Sequence, residues 1–503
     1  MPEGGFPRET GVKIALFELA ERLEGLLGVS HVLRDPELRG PYEVDWTRRW
    51  RGEAAMVVRP ASAAELAKAV SICADAGARI VIQGGNTGLV GGGVPLDGEV
   101  VISTTRMSWI GEIDVMLAQL SAGAGATLAS VQQAASSGGF EVAIDLGARD
   151  SATLGGMVAT NASGLSAVRF GRMSSRVVAL EAVLADGTMI SGTPGSRLGG
   201  HGYDLASLLI GSEGTLGIVT GVTLQLEQAP KSQATALLAL DVGGRGAGGA
   251  RGVVREGELV TESAVFTAGH LSSILRSQLR AVELFYRDGM DLVCDHARTP
   301  PPFQASHDAY LIIECAGVGD ETAGEVAADI AGALSNCPLV VADAVATDAP
   351  TRARLWRYRE GIPEAIASIG IPHKLDVYVP RMQMPGFIAD LRSLARSVAP
   401  GCEVVVFGHV GVGNLHVNLL GVDVQSTAVD DVILELVIAS GGSVSAEHGI
   451  GRAKAAWMPR VLSADQLGVM RILKSAMDPD ALLNPGVMLP ASDVKAKYWF
   501  GPG

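Results

Sequence analysis

Cysteine is scarce and poorly placed for cross-linking: Cys73, Cys294, Cys315, Cys337 and Cys402 are scattered through 503 residues, and no two form a C-x-x-C pair. That spacing argues against a disulfide framework and against a thiolate metal site, and it leaves reduced core residues as the plain reading. Basic charge is also short, with 40 Lys and Arg against 54 Asp and Glu and a formal net charge of -14. Such a chain has no general attraction for nucleic acid or an anionic membrane surface, so an anionic substrate would need a local basic pocket. No run of eighteen apolar residues occurs, and acidic side chains interrupt the only apolar stretch among the first thirty residues, unlike a signal peptide. Together these absences predict a cytoplasmic protein with no transmembrane segment and no nucleic-acid partner.

What is plentiful is apolar side chains, 48%, enough for two or three filled cores, and glycine, 64 residues without a three-residue period. Residues 13–27 read as an amphipathic helix. The first well-marked unit begins at Ala55 with a buried strand in AAMVVRP. A helix follows, opened by a capping box, Ser62-Ala-Ala-Glu65, with Leu66, Val70 and Cys73 on one face and an end near Gly77. A strand over 79–83 leads into Gly84-Gly-Asn-Thr-Gly-Leu-Val-Gly-Gly-Gly93, and another strand follows over 99–103. A glycine loop between two strands is neither a Rossmann nor a Walker turn, because both of those open directly into a helix. Two more glycine-rich segments span 145–173 and 209–226, so residues 55–228 form one α+β unit. Beyond Pro230 the stretch VGGRGAGGARG reads as a loose loop. Helices then alternate with strands such as AYLIIECAG, which places a second domain at 231–468 and leaves 469–503 too short to fold alone.

Glycine frees successive backbone N–H groups to surround an anion and lets the chain approach a pyrophosphate closely. A surface loop is the alternative for any one cluster, but three clusters in one unit are hard to explain as turns alone. A second constellation lies near the C-terminus. In EVVVFGHVGVGNLHVNLL, a two-residue hairpin loop at Val412 and Gly413 would set His409 directly opposite His416, with Cβ atoms about 5 Å apart. Asn418 would share the face of His416. SVSAEHGIGR adds Glu447 as a carboxylate ligand with His448 beside it. A His₂Glu set with an open position suits a catalytic divalent ion, and a hydrogen-bonded histidine pair is the alternative. Arg359 and Lys374 could hold a carboxylate, or they could be surface charges paired with Glu360 and Asp376.

The segments IVIQGGNTGLVGGG, GARDSATLGGMVATNASG, VRFGRM, LEAVLADG and DLASLLIGSEGTLGIVT resemble, in order and spacing, the FAD domain of the vanillyl-alcohol oxidase/p-cresol methylhydroxylase superfamily. The resemblance runs from about residue 50 to the C-terminus. It extends to a D-2-hydroxy-acid dehydrogenase branch of D-lactate dehydrogenases, glycolate oxidase catalytic subunits and D-2-hydroxyglutarate dehydrogenases. It implies a two-subdomain FAD-binding domain (1–230), an α+β cap or substrate domain (231–468), and a C-terminal segment (469–503) that returns to the FAD domain. Gly84, Gly85, Asn86, Thr87, Gly88 and Leu89 would hold the FAD pyrophosphate. Thr153, Gly155, Gly156, Asn161, Ser163 and Gly164 would lie along pyrophosphate and isoalloxazine, Gly214 and Val219 near the adenosine part, and Asn484 at the flavin. Covalent members often carry a histidine in the first loop, where this chain has Asn86, which favours noncovalent FAD.

The branch also carries G-H-x-G-x-G-N-x-H-x-N and E-H-G-I-G, which implies a metal, zinc first with manganese or iron as options, on His409, His416 and Glu447. By the same resemblance Arg359, Lys374 and Asn418 would serve the substrate and His448 would be the base. The implied reaction is metal-assisted oxidation of a D-2-hydroxy acid, with hydride passing to flavin N5 and an electron-transfer flavoprotein or quinone as acceptor. Four residues after Arg359 stands Pro363, where the D-2-hydroxyglutarate enzymes would have a hydroxyl residue. That departure predicts better oxidation of short or apolar acids such as D-lactate. A metal-dependent hydrolase and a flavin subunit without chemistry of its own remain the readings from other classes, and a homodimer is left open.

Overall fold

Four short strands, Val32–Leu33 (β1), Met56–Val58 (β2), Ile80–Gln83 (β3) and Val100–Ser103 (β4), form a sheet in the order β1-β2-β4-β3. Strands β2 and β3 both run parallel to β4. Parallel strands are covered on both faces, which is why these read as unbroken Val and Ile runs and not as alternations. The computed structural model describes residues 8–191, 202–241 and 258–490. The VGGRGAGGARG loop expected over 242–252 lies outside them.

The crossover from β2 to β3 is the helix Ala63–Asp75. Ser62 accepts the Glu65 N–H at its start, and Gly77 follows its end at φ +63°. The expected capping box is half formed, because the Glu65 carboxylate reaches past Ser62 to the Ala61 N–H at 2.7 Å. The crossover from β3 to β4 holds no helix and consists of the glycine run and turns over 84–99.

A second, antiparallel sheet has the order β5-β6-β10-β8-β9. It uses Ile110–Asp114 (β5), Gln119–Gly123 (β6), Val177–Val183 (β8), Met189–Ser191 (β9) and Ile218–Gln225 (β10), while Phe140–Glu141 (β7) pairs separately with Glu227–Gln228 (β11). Its core joins Leu120, Leu180 and Val222 to Leu128 and Val131 of one helix and Leu154 and Val158 of another.

The third sheet is antiparallel with seven strands, Gln233–Leu240 (β12), Leu279–Tyr286 (β13), Ala309–Ala316 (β14), Val340–Ala346 (β15), His373–Tyr378 (β16), Glu403–Gly408 (β17) and Asn414–Leu420 (β18), in the order β15-β12-β14-β13-β17-β18-β16. The fold is therefore α+β throughout. Side chains alternate across a strand. Val282, Leu284, Leu375, Val377, Val404, Val406, Leu415, Val417 and Leu419 fill the core on one face, under the helices Glu258–Leu275, Met384–Val398 and Ala428–Ala439. The residues between them, Glu283, Lys374, Asp376, Val405, Phe407, His416 and Asn418, are thereby committed to the other face.

The C-terminal helix Ala464–Met477 ends in a latch. Lys474 Nζ, buried, donates to Asp478 Oδ2 at 2.5 Å and to the carbonyls of Thr215 and Leu483 at 2.8 Å. Leu483 bridges to Ile80 of β3, which returns the chain to the first sheet. Among the described residues no helix is long and apolar enough to cross a membrane.

Candidate active site

A cavity of about 660 Å³ lies between the glycine segments and the open face of the seven-stranded sheet. It is within the size range of ligand and cofactor sites. Gly84, Gly85, Asn86, Thr87, Gly88, Leu89, Thr153, Gly155, Gly156, Ser163, Gly164, Gly214, Val219 and Asn484 all line it. Asn161 does not. Its Oδ1 accepts the Ser174 N–H at 2.9 Å, so it shapes the turn after the second glycine segment.

Two observations suit this half of the cavity to a pyrophosphate. Thr153 starts the helix Leu154–Ala159 without capping it, and its buried hydroxyl meets no protein partner. Gly85 packs so closely on the next segment that a Cβ would strike the Ser151 carbonyl. Asn484 braces the site by accepting the Ile82 N–H at 2.8 Å and donating to the Glu213 carbonyl at 2.6 Å.

At the other end His409, His416, Glu447 and His448 come together, but not by the expected register. His416 faces Phe407 across the hairpin, and His409 lies past the end of β17 in a five-residue connection, 409–413, with Gly413 at φ +85°. The two-residue loop is corrected accordingly: the Asn414 N–H returns to the His409 carbonyl and closes a wider turn. The rings still meet, with centroids 5.2 Å apart and planes at 86°. Glu447 Oε1 lies 3.0 Å from His409 Nε2 and 3.4 Å from His416 Nε2. Ser163, from the glycine segment, donates to Glu447 Oε2 at 2.5 Å. His448 stacks on His416 at 5.2 Å.

The nitrogens pointing away from Glu447 have their own carboxylates. His409 Nδ1 contacts Glu283 Oε1 at 2.5 Å, and His416 Nδ1 lies 3.5 Å from Asp376 Oδ1. The Glu283 carboxylate behind His409 orients that ring, the usual support of a metal-binding histidine, whereas His416 Nδ1 and Asp376 Oδ1 make no hydrogen bond. Burial opposes charge on His409, but Glu283 and Glu447 outweigh it and raise its pKa to about 10. Burial also works against the Glu447 carboxylate, which the histidines, His409 first, hold well below the usual range. The buried carboxylates are thus matched by positive charge, which a protonated His409 carries and which a divalent ion would supply only once that proton had left. Among the described residues, the four side chains whose ligand atoms all lie within 4.8 Å of one another are Asp376, His416, Glu447 and His448, a group that leaves out His409. Asp376 Oδ2 accepts the N–H groups of Ala446, Glu447 and His448 at 3.0, 2.7 and 2.8 Å, while its buried Oδ1 has no hydrogen-bond partner and is the oxygen this group would offer an ion.

Arg359 and Lys374 both line the cavity, as does Pro363 at the start of the helix Ile362–Ile369. Neither cation has the partner anticipated from sequence. Arg359 is buried against Glu283, with Nη2 at 2.8 Å and Nε at 3.1 Å, and its guanidinium lies 4.3 Å over the Phe407 ring. Glu360 pairs instead with Arg149 at 3.0 Å. Lys374 has no hydrogen-bond or ion-pair partner among the described residues, and burial lowers its pKa to about 8. Asn418, opposite Lys374 on β18, is buried and lines the same space.

Sequence reasoning missed the roles of Glu283, of Asp376, which it took only as a surface partner for Lys374, and of Glu213. The first two are lone carboxylates in apolar strands, LRAVELFY and HKLDVYV, a pattern that signals a satisfied buried charge. Glu213, from the third glycine segment, accepts the Ile450 and Gly451 N–H groups at 2.7 Å each and so ties the Glu447–His448 loop to the cofactor side of the cavity.

The chain matches two family descriptions, "FAD binding domain" over residues 54–193 and "FAD linked oxidases, C-terminal domain" over 262–488. It is 35% identical over 463 residues to a D-2-hydroxyglutarate dehydrogenase of Xanthomonas citri pv. viticola, covering 90% of this chain and 93% of that one. The chain belongs to the FAD-linked oxidases. This FAD-linked oxidase is also 34% identical to the mitochondrial D-2-hydroxyglutarate dehydrogenase of Bos taurus, over 92% of its own length and 81% of that protein's. Its fold is that of p-cresol methylhydroxylase, with a TM-score of 0.74 at 15% identity over 95% of this chain and 98% of that one. The expectation of a cytoplasmic protein is corrected by these relatives. Those from Bos taurus, Rattus norvegicus and Arabidopsis thaliana are named as mitochondrial. Charge and the lack of a long apolar run cannot separate cytoplasm from the interior of an organelle.

Proposed function

We propose that this FAD-linked oxidase oxidises a D-2-hydroxy acid to the 2-oxo acid, with noncovalent FAD along the glycine segments and a divalent ion, zinc first, on His409, His416 and Glu447. The observation that carries this reading is one cavity with a cofactor cradle at one end and a carboxylate-backed His₂Glu set at the other. When bound, FAD supplies a two-electron acceptor and the ion supplies Lewis acidity that makes an alcohol proton easier to remove. The chain's own residues do the rest. Lys374 offers an unneutralised ammonium to the substrate carboxylate, and Arg359 offers the N–H donors that Glu283 leaves free. His448, which lines the cavity beside Glu447, accepts the hydroxyl proton. Asp376 holds His448 and Glu447 in place through three backbone N–H groups, and Ser163 fixes the Glu447 carboxylate from the cofactor side. An electron-transfer flavoprotein or a quinone would take the electrons onward.

Asn86 supports noncovalent attachment. Its backbone is left-handed at φ +53°, and its amide donates to the Val44 and Pro41 carbonyls, so the side chain closes a loop and carries no nucleophile. Acid precipitation should leave the yellow colour in the supernatant, and colour retained in the pellet would contradict the assignment.

The names of the relatives make D-2-hydroxyglutarate the acid to compare. Pro363 argues against it as the best substrate. Lys374, with no carboxylate partner, is the observation in its favour, since a second carboxylate could pair there. We expect anaerobic flavin reduction and kcat/KM to favour D-lactate and D-2-hydroxybutyrate over D-2-hydroxyglutarate. Pro363→Thr should raise kcat/KM for D-2-hydroxyglutarate by about tenfold, the worth of one charge-assisted hydrogen bond, with little change for D-lactate. Proline at a helix start carries no needed N–H, so threonine is tolerated there. A clear wild-type preference for D-2-hydroxyglutarate would sink the inference from Pro363, and failure of every hydroxy acid to bleach the flavin would sink the reaction.

A further inference from the structure

The segment before the first glycine loop turns tightly at residues 45–50. Val44 bridges to Arg51, the Asp45 carboxylate accepts the Trp50 N–H at 3.1 Å and the Thr47 hydroxyl at 2.5 Å, and Arg48 takes a left-handed φ of +62°. The turn is pinned to both halves of the molecule. On the cofactor side Asn86 donates to the Val44 carbonyl at 2.8 Å, and Gly91 leaves no room for a Cβ beneath the Trp50 ring. On the other side Arg49 pairs with Asp430 at 2.7 Å and donates to the Val424 carbonyl at 3.2 Å. The other oxygen of Asp430 meets the ring of His373, fully buried, at 2.8 Å. His373 is the residue before Lys374 on β16.

This anchoring sets Trp46 at the cavity wall with its ring 4.4 Å from Lys374 Nζ, while half of its surface stays open to solvent. We propose that Trp46 is a positioning residue for substrate binding: its ring face holds the Lys374 ammonium in the cavity without neutralising it, so that the charge stays available to an incoming carboxylate. The proposal rests on the reading that the cavity takes a 2-hydroxy acid. A carboxylate neighbour would hold the lysine as firmly but would compete with the substrate for the same donors. No carboxylate among the described residues pairs with Lys374: Asp376 Oδ2 accepts from the 446–448 backbone, Glu360 pairs with Arg149, and Glu283 pairs with Arg359 and His409. An aromatic quadrupole attracts a partly desolvated ammonium without cancelling its charge.

The test is a double-mutant cycle on the holoenzyme. Trp46→Leu should raise KM for the hydroxy acid, and the Kd of oxalate read from the flavin absorbance, roughly five- to tenfold. It should change kcat by less than about threefold, and Trp46→Phe should recover most of the loss. In a Lys374→Met background the effect of Trp46→Leu should vanish, because the ring then has no cation to hold. An effect of equal size with and without Lys374 would show that the ring is only a wall and would overturn the proposal, as would Trp46→Leu indistinguishable from wild type. Oxalate binding needs only a cavity that accepts an anion, so the cycle remains readable even where no hydroxy acid reduces the flavin.

Discussion

Alanine at His409, His416 or Glu447 is expected to remove bound metal and to lower turnover by about 10³-fold, since loss of several kcal/mol of Lewis-acid stabilisation corresponds to that factor. FAD should remain, because its cradle is built from the three glycine segments and Asn484, of which only Ser163 touches the His₂Glu set, through Glu447. His448→Ala should keep the metal and lose about 10²- to 10⁴-fold in kcat, the range for removal of a general base. Metal content by elemental analysis and FAD by absorbance, both measured on the same preparations, separate the two classes. Loss of metal from His448→Ala with retention in His409→Ala would instead assign the ion to the group with Asp376. Full activity in all four variants would defeat the metal-assisted reaction.

Lys374→Met should cost about 10²-fold in kcat/KM, because it removes a charge-assisted contact worth roughly 1.5–3 kcal/mol. The wild-type pH profile should carry the mark of the same residue. Burial lowers the lysine pKa to about 8, so the free enzyme holds the ammonium below that pH and loses it above. Carboxylate binding is therefore present at neutral pH and lost as pH rises through about 8. A basic limb near pH 8 should appear in kcat/KM, which reports the free enzyme. In kcat the limb should move higher, since a bound carboxylate stabilises the charged form. Lys374→Arg stays protonated and should lose the limb while keeping part of the affinity. A limb unchanged in Lys374→Arg would assign the titration to another group.

Much of this was legible in the residues themselves, because it depends on local spacing. The glycine run over 84–93 sits between two strands as its flanks predict, and, of the fifteen residues that the family resemblance alone matched to the cofactor, all but one line one cavity. The structure places His409, His416, Glu447 and His448 beside one another, though the hairpin register proposed to join the two histidines was wrong. A turn's length depends on backbone geometry at Gly413 that the pattern of residue types does not specify.

What the sequence determined alone was the alternation that turns Lys374, Asp376, His416 and Asn418 onto one face of a sheet, and the glycines that let a backbone crowd a ligand. Which charges would neutralise one another was decided only by tertiary structure. Arg359 is adjacent in sequence to Glu360 yet pairs with Glu283, 76 residues away, and Glu447 takes a hydrogen bond from Ser163, 284 residues away. The physical reason is that a buried charge must be matched by whichever partner the packing of distant strands and loops delivers, and sequence proximity carries no information about that delivery. Lys374 could be recognised as the cation left without a carboxylate only once every nearby acid had been assigned in three dimensions.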